Sequence, residues 1–273
     1  MTSPPGTLSL KECAERLGVH YMTAYRYVRL GRLSATKVGA EWRVRESDLE
    51  SLLVAAAHPI ERGGVDWSAR FEDRLLAGDE SGTWAVAEAA LASGVTPAGI
   101  HIDVLSPAMA RIGEGWHRGV VSIAEEHRAT GVATKIVGRL GNRFARRGSR
   151  RGRIVIGTPP GERHALGVAV VADLLRGAGW EVVDLGVDMP ADDFVTAVEK
   201  SAPVSAVAVS VGHPDRIIPA RDLVATLRAA VVVPIVVGGA AIDAAAASII
   251  GADGWASDGR GAVEAVAALT SRG

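Results

Sequence analysis

The chain has 273 residues, with 30 Lys and Arg against 31 Asp and Glu, and 48% of it is apolar. That length suits two or three domains with a sizeable core, and the near-neutral balance excludes a uniformly basic protein, though not a locally basic module. The single cysteine, Cys13, excludes an internal disulfide framework or thiolate cluster; no apolar run approaches the roughly 20 residues that span a bilayer, and "MTSPPGTLSL" lacks a charged leader, so the expectation is a soluble, cytoplasmic protein without a membrane partner.

Along the chain the texture changes three times, and the predicted domains are 1–57, 66–148 and 151–273. In the first, Ser9 with Glu12 three residues on has capping-box spacing. Leu10, Cys13, Ala14 and Leu17 then share one helical face that ends at Gly18. A second helix, "VHYMTAYRYVRLG", stops at Gly31. A strand, a tight turn at Gly39–Ala40, a second strand "EWRV" and a helix capped by Ser47 follow. Two helices and a small hairpin describe a winged helix-turn-helix. On the second helix Tyr21, Thr23, Arg26 and Tyr27 are candidates for base-edge or phosphate contact, although Tyr25 or Tyr27 equally fits a core place. Lys37, Trp42, Arg43 and Arg45 belong to the wing, suited to phosphate or minor-groove contact.

"HPIERGGV" (58–65) reads as a linker. From Trp67 to Ala145 the apolar period is helical, with four helices at about 67–77, 80–93, 97–115 and 121–145, a small antiparallel bundle. The basic "RRGSRRGR" hinge reads as a solvated linker rather than a DNA contact. Apolar runs "RIVIG", "EVVDLG", "AVAVSVG" and "VPIVVGG" then alternate with helical stretches. They lack polar alternation, as strands do when both faces of a parallel sheet are covered. A last strand, "GWAS", precedes a helix from Gly261. The predicted fold is thus multidomain α and α/β: a winged helix-turn-helix, a four-helix bundle, and a Rossmann-like doubly wound domain.

"GTPPGERHALG" (157–167) lies between the first of these strands and its helix. Pro159-Pro160-Gly161 forces a turn that lifts Glu162 and His164 out of the sheet, and Gly167 permits close approach at the helix. A carboxylate two residues before a histidine can hold one ring nitrogen and leave the other free as a metal ligand. A solvated or helix-capping histidine is the plainer alternative. In the bundle, "GWHRGVVSIAEEHRATG" puts Trp116 nine residues before Glu126-His127, and an antiparallel hairpin would bring them together. A flat apolar ring beside a carboxylate and an imidazole suits an adenine-sized group.

The loop resembles the cobalamin-binding Rossmann-like domains of methionine synthase and the corrinoid-dependent mutases. Their pattern is Asp-x-His-x-x-Gly, then Ser-x-Leu, then Gly-Gly. Here it stands as Glu162-x-His164-x-x-Gly167, Ser210-Val211-Gly212 and Gly238-Gly239, with Glu in place of Asp and Gly212 in place of Leu. The resemblance implies that His164 is the lower axial cobalt ligand and that Ser210 and Gly238-Gly239 line the cleft for the nucleotide tail. "GRLSATKVGAEWRVRESDLESLL" resembles the MerR and excisionase wing.

Domain order and the Trp-x9-Glu-His pattern together resemble the CarH-type, MerR-family repressors that carry adenosylcobalamin. That resemblance implies a cofactor-binding set that also includes Trp116, Ile123, Glu126 and His127 over the upper corrin face, with His117 as upper cobalt ligand after light. It implies a non-enzymatic photoreceptor that represses transcription, with operator DNA as partner and self-association into a dimer or tetramer when loaded. A light-independent cobalamin sensor and a corrinoid carrier are the alternatives.

Overall fold

A computed structural model describes residues 7–16, 24, 28, 33–38, 41–49, 65–145, 148 and 150–271. The chain divides into two units, Met1–Val65 and Asp66–Gly273.

In the first unit, α1 (Leu10–Arg16) begins where the sequence places it. Glu12 N–H donates to Ser9 Oγ (3.3 Å) and Ser9 N–H to Glu12 Oε2 (2.7 Å), a reciprocal cap. These two bonds from Ser9, backbone first, hold the Glu12 carboxyl below its ordinary value. Leu10, Cys13 and Ala14 are buried with Ala24, Leu33, Val44 and Leu49, and Val28 packs against them. The wing hairpin is present as β2 (Ala35–Val38) antiparallel to β3 (Glu41–Arg45). The sequence did not announce a third strand: β1 (Thr7–Ser9) pairs with the other edge of β3, Leu8 opposite Val44. Three residues are too few to show an alternating pattern, so only pairing to β3 identifies them. Leu17, the turn at 39–40, most of the second helix and the linker fall outside the described residues.

The second unit opens with α2 (Trp67–Ala77) and α3 (Glu80–Ala92). Gly78, in the left-handed region at φ 70°, ends the first, and Asp79 accepts from Gly82 N–H to start the second. The third rod is not uniform. A turn at Pro97–Gly99 leads into a π-helical stretch, Ile100–Leu105, and then α4 (Ser106–His117). Pro107 has no N–H for the carbonyl four residues back, and the ladder widens just before it, with Ser106 N–H reaching His101 O. A Ser122–Glu125 capping box opens α5 (Ile123–Leu140), and the Ser122 hydrogen bonds hold Glu125 below its ordinary value. A 3₁₀ turn, Gly141–Phe144, completes what the sequence read as one helix to 145.

The remaining chain is an open parallel sheet with helices on both faces. Its strands are β4 (Arg153–Gly157), β5 (Glu181–Asp184), β6 (Ala206–Ser210), β7 (Ile235–Gly238) and β8 (Gly254–Ala256), ordered β5-β4-β6-β7-β8. The order reverses between β4 and β6, so the crevice outside the carboxyl ends of those two strands is the topological switch point. One face is buried under helices Ala191–Lys200, Ile217–Ala230 and Ala244–Ile250, the other under α6 (Ala165–Gly177) and the C-terminal helix Gly259–Thr270. That last helix starts two residues before Gly261, because Asp258 caps it by accepting from Gly261 N–H.

The bundle core runs directly into the Rossmann-like domain, with Val170 and Leu174 of α6 packing among Phe71, Ile112, Ile136 and Phe144. A polar pair crosses the same junction. His101, fully buried in the π-helical stretch, sets Nε2 3.2 Å from Asp173 Oδ2 on α6, and its ring stacks on Phe144 at 4.9 Å. Arg176 donates to the other Asp173 oxygen (3.1 Å). Removing one member of a buried pair leaves the other uncompensated. Asp173→Ala is therefore expected to cost about 3 kcal/mol in denaturant unfolding, and Asp173→Asn, which keeps an acceptor, distinctly less. Equal losses in the two variants would show that packing alone holds the junction.

Candidate functional site

The loop after β4 is built to present His164. Pro159 O accepts from Glu162 N–H (3.1 Å) across a turn in which Gly161 takes φ 78°. The next crossover braces the turn: Asp188 N–H donates to Thr158 Oγ1 (2.8 Å) and Glu162 O (2.9 Å), and Asp188 Oδ1 accepts from Gly161 N–H (2.6 Å). Asp188 is the one non-glycine among the described residues with positive φ, at 54°. Asp tolerates that region better than most side chains, at some strain, and the strain here serves this brace.

Within the brace the Glu162 side chain is only 1% exposed. Its Oε1 accepts from His164 N–H (3.0 Å) and faces His164 Nδ1 at hydrogen-bond distance; its Oε2 accepts from the N–H groups of Gly212 (2.7 Å) and His213 (3.1 Å). Burial pushes this carboxyl up, but the bonds from His164 and Gly212 outweigh it and hold the group below its ordinary value. An ionised carboxylate only accepts, so Nδ1 carries the proton and Nε2 is left with its lone pair. The His164 side chain is 67% exposed. One free imidazole nitrogen, backed by a buried carboxylate, is the donor set for a metal that brings its own equatorial ligands.

Around it the strand ends are kept bare. Ser210 ends β6 opposite Gly238 of β7. A β-carbon at Gly167 would stand 3.7 Å from Ser210 Oγ, an ordinary contact. Gly239 is different: φ is 120°, and a β-carbon there would meet Val211 O at 2.4 Å, so no other residue fits. Ser210, Gly167, Gly238 and Gly239 thus converge with His164 at the switch point. His164 is the residue of this group whose side-chain nitrogen can serve as a metal donor.

In the bundle, Trp116 and His117 end α4 with ring centroids 4.7 Å apart, and Trp116 is 43% exposed. Glu126 Oε1 accepts from Thr130 Oγ1 (2.8 Å), and Glu126 Oε2 lies 3.6 Å from His127 Nε2. Val120 and Ile123, between the two pairs, are exposed. Each pair forms, but among the described residues no hydrogen bond or ring contact joins Trp116 to Glu126 or His127.

On the first unit, Lys37 is exposed on β2 opposite Trp42, and Arg43 lies on β3 opposite Thr36 and Ser9. Arg16 donates to Glu46 (2.8 Å), tying α1 to the segment after the wing. Tyr21, Thr23, Arg26 and Tyr27 lie outside the described residues.

Sequence reasoning missed Thr158, Asp188 and His213. Thr158 and Asp188 are separated by a whole strand–helix unit, and no short motif links them. His213 carried one signal, its place three residues after the end of an apolar strand, next to the glycine that stands where Leu is usual.

Three family models match the chain: a helix-turn-helix domain over 7–54, a helical "B12 binding domain" over 67–140 and a second "B12 binding domain" over 152–267. Trimethylamine corrinoid protein 1 of Methanosarcina acetivorans is 33% identical over 140 residues, which are 50% of this chain and 64% of that protein. Dimethylamine corrinoid protein of Methanosarcina barkeri is 36% identical over 125 residues, 44% of this chain and 56% of that protein. The match thus spans less than two thirds of these relatives' length. The structure of the Methanosarcina barkeri monomethylamine corrinoid protein superposes with a TM-score of 0.65 over 73% of this chain and 95% of that chain, at 22% identity, a likeness of fold. The chain thus couples a helix-turn-helix domain to a helical domain and a Rossmann-like domain that both match B12-binding models, and these matches support cobalamin binding.

Glu162→Ala would strand the N–H donors of His164, Gly212 and His213 together with His164 Nδ1. The expected result is a roughly 10–100-fold loss of hydroxocobalamin affinity in an absorbance titration, the usual scale for an outer-shell partner of a metal ligand. Unchanged affinity would remove Glu162 from the site.

Proposed function

We propose that this chain is a light-responsive transcriptional repressor of the MerR, CarH-like type that uses adenosylcobalamin as its chromophore. The observation that carries the reading is the exposed Trp116–His117 pair at the end of α4, an aromatic face with an imidazole beside it, on a chain that also holds a helix-turn-helix unit. His164, oriented by Glu162, would hold the cobalt through Nε2. Ser210, Gly167, Gly238 and Gly239 leave room for the nucleotide tail. Trp116 and Ile123 cover the upper face with apolar surface, and Glu126 and His127 supply polar contacts to the adenosyl group. The bound group supplies a cobalt–carbon bond that visible light breaks. Before light, Trp116 is buried by the upper group and the cap is held closed. Loss of the upper group would leave Trp116 uncovered, and the His117 imidazole beside it would be available to bind the metal in its place. A change in the cap then alters self-association, and with it the number of helix-turn-helix units presented together to operator DNA, where Lys37 and Arg43 sit on the wing.

A second reading, a corrinoid carrier or a light-independent cobalamin sensor, is favoured by the relatives, all named as corrinoid proteins. The helix-turn-helix unit weighs against a carrier. Size-exclusion chromatography with in-line absorbance, on chain loaded with adenosylcobalamin before and after green light, separates the readings. The expected outcome is a cobalt-centred spectral change together with a change in oligomer size, and loss of the stable illuminated state in His117→Ala. A spectral change with no change in size or in DNA binding would favour the carrier or the light-independent sensor.

A further inference from the structure

Gly212 is a glycine for which the backbone has no need. It is absent from the glycines with φ in the left-handed region, which include Gly161 and Gly239, so any residue could adopt its conformation. Space is what requires it. A β-carbon at 212 would stand 3.0 Å from both Cγ and Nδ1 of His164 and 3.1 Å from its Cβ, inside ordinary van der Waals separation. A side chain at 212 would crowd the imidazole, which would have to give by a few tenths of an ångström to admit it. The same residue's N–H fixes Glu162 Oε2, whose partner oxygen faces His164 Nδ1.

We infer that Gly212 is a positioning residue for His164, and that Glu162 and Gly212 work as one unit. Glu has one methylene more than the Asp of the cobalamin-domain pattern, which brings the acceptor, and the ring it holds, further towards the β6 loop. The Leu of that pattern would stand in the ring's place, and glycine clears it. The two departures of this chain from the pattern therefore compensate each other. Glu162 grips the Nδ1 edge, Gly212 seats the ring, and Nε2 is the atom that remains outward. Its functional consequence rests on reading His164 as the cobalt ligand; the seat itself belongs to the unloaded chain.

The test is long-range ¹H–¹⁵N NMR of the His164 ring in the cobalamin-free full chain, at alkaline pH where the ring is neutral, assigned with His164→Ala. The wild type is expected to show one tautomer, protonated at Nδ1. Gly212→Leu is expected to lose that single form to a tautomer mixture, and Glu162→Asp combined with Gly212→Leu to recover it. Gly212→Ala, the smaller change should Leu prevent folding by circular dichroism, is expected to shift the His164 ring resonances and leave those of His101 in place. A wild-type pattern in Gly212→Leu, or in Gly212→Ala where Leu does not fold, overturns the inference, as does a double variant no better than the single. Electron paramagnetic resonance of chain loaded with hydroxocobalamin and reduced to Co(II) then separates the two readings. If the wild type shows no nitrogen splitting that His164→Ala removes, the ligand reading fails while the NMR still judges the seat. If the splitting is present, it is expected to weaken in Gly212→Leu, and an unchanged splitting there counts against the seat.

Discussion

A buried carboxylate that cannot find enough donors costs the fold dearly, and Glu162 is the place where this chain meets that constraint. Its two oxygens collect the N–H groups of His164, Gly212 and His213 and face the His164 ring. Those donors come from loops after two different strands, so satisfying one side chain ties the end of β4 to the end of β6. The site geometry follows: Glu162 faces the Nδ1 edge of the imidazole, and the ring lies close to Gly212. Nothing in this requires a ligand. The loop is pre-organised, which cuts the ordering cost that a bound corrinoid would otherwise impose.

The second constraint lies at the far side of α6. His164 stands at the N-terminus of that helix and Asp173 sits nine residues on, where it meets His101 of the bundle. One helix therefore connects His164 of the β4 loop to the residue that pairs with the bundle. The π-helical stretch that carries His101 is itself a consequence of Pro107, so a local backbone requirement sets where the cap touches the sheet domain. A cap docked through α6 is placed relative to the β4 loop by covalent geometry as well as by packing.

The end of the bundle is less finished. Trp116, Val120 and Ile123 expose apolar surface, and among the described residues no hydrogen bond or ring contact joins Trp116–His117 to Glu126–His127. Exposed apolar area of this kind is unfavourable in water, and a partner that covers it gains that free energy. The contrast with the Glu162 loop is physical: there both carboxylate oxygens are paired within the chain, and here apolar side chains are left open to water.

Much of this was legible in the sequence. The strands of the sheet, buried on both faces, announced themselves as unbroken apolar runs, and the Gly78-Asp79 break and the capping residue Ser9 marked helix ends because their chemistry is local, whereas the caps at Ser122 and Asp258 were found only in the structure. The Glu162–His164 contact was legible for the same reason, since two residues' separation brings the side chains together whatever the rest of the chain does. Other features needed the tertiary structure. β1 exists only because β3 is there to pair with it; Asp188 braces the loop only because the next crossover returns to it; His101 and Asp173 meet across 72 positions. The glycine at 212 reads in sequence as a departure from a pattern, and only the packed ring of His164 explains it. Short-range chemistry is written in neighbouring residues, while a contact between distant segments depends on how the whole chain excludes water and fills space.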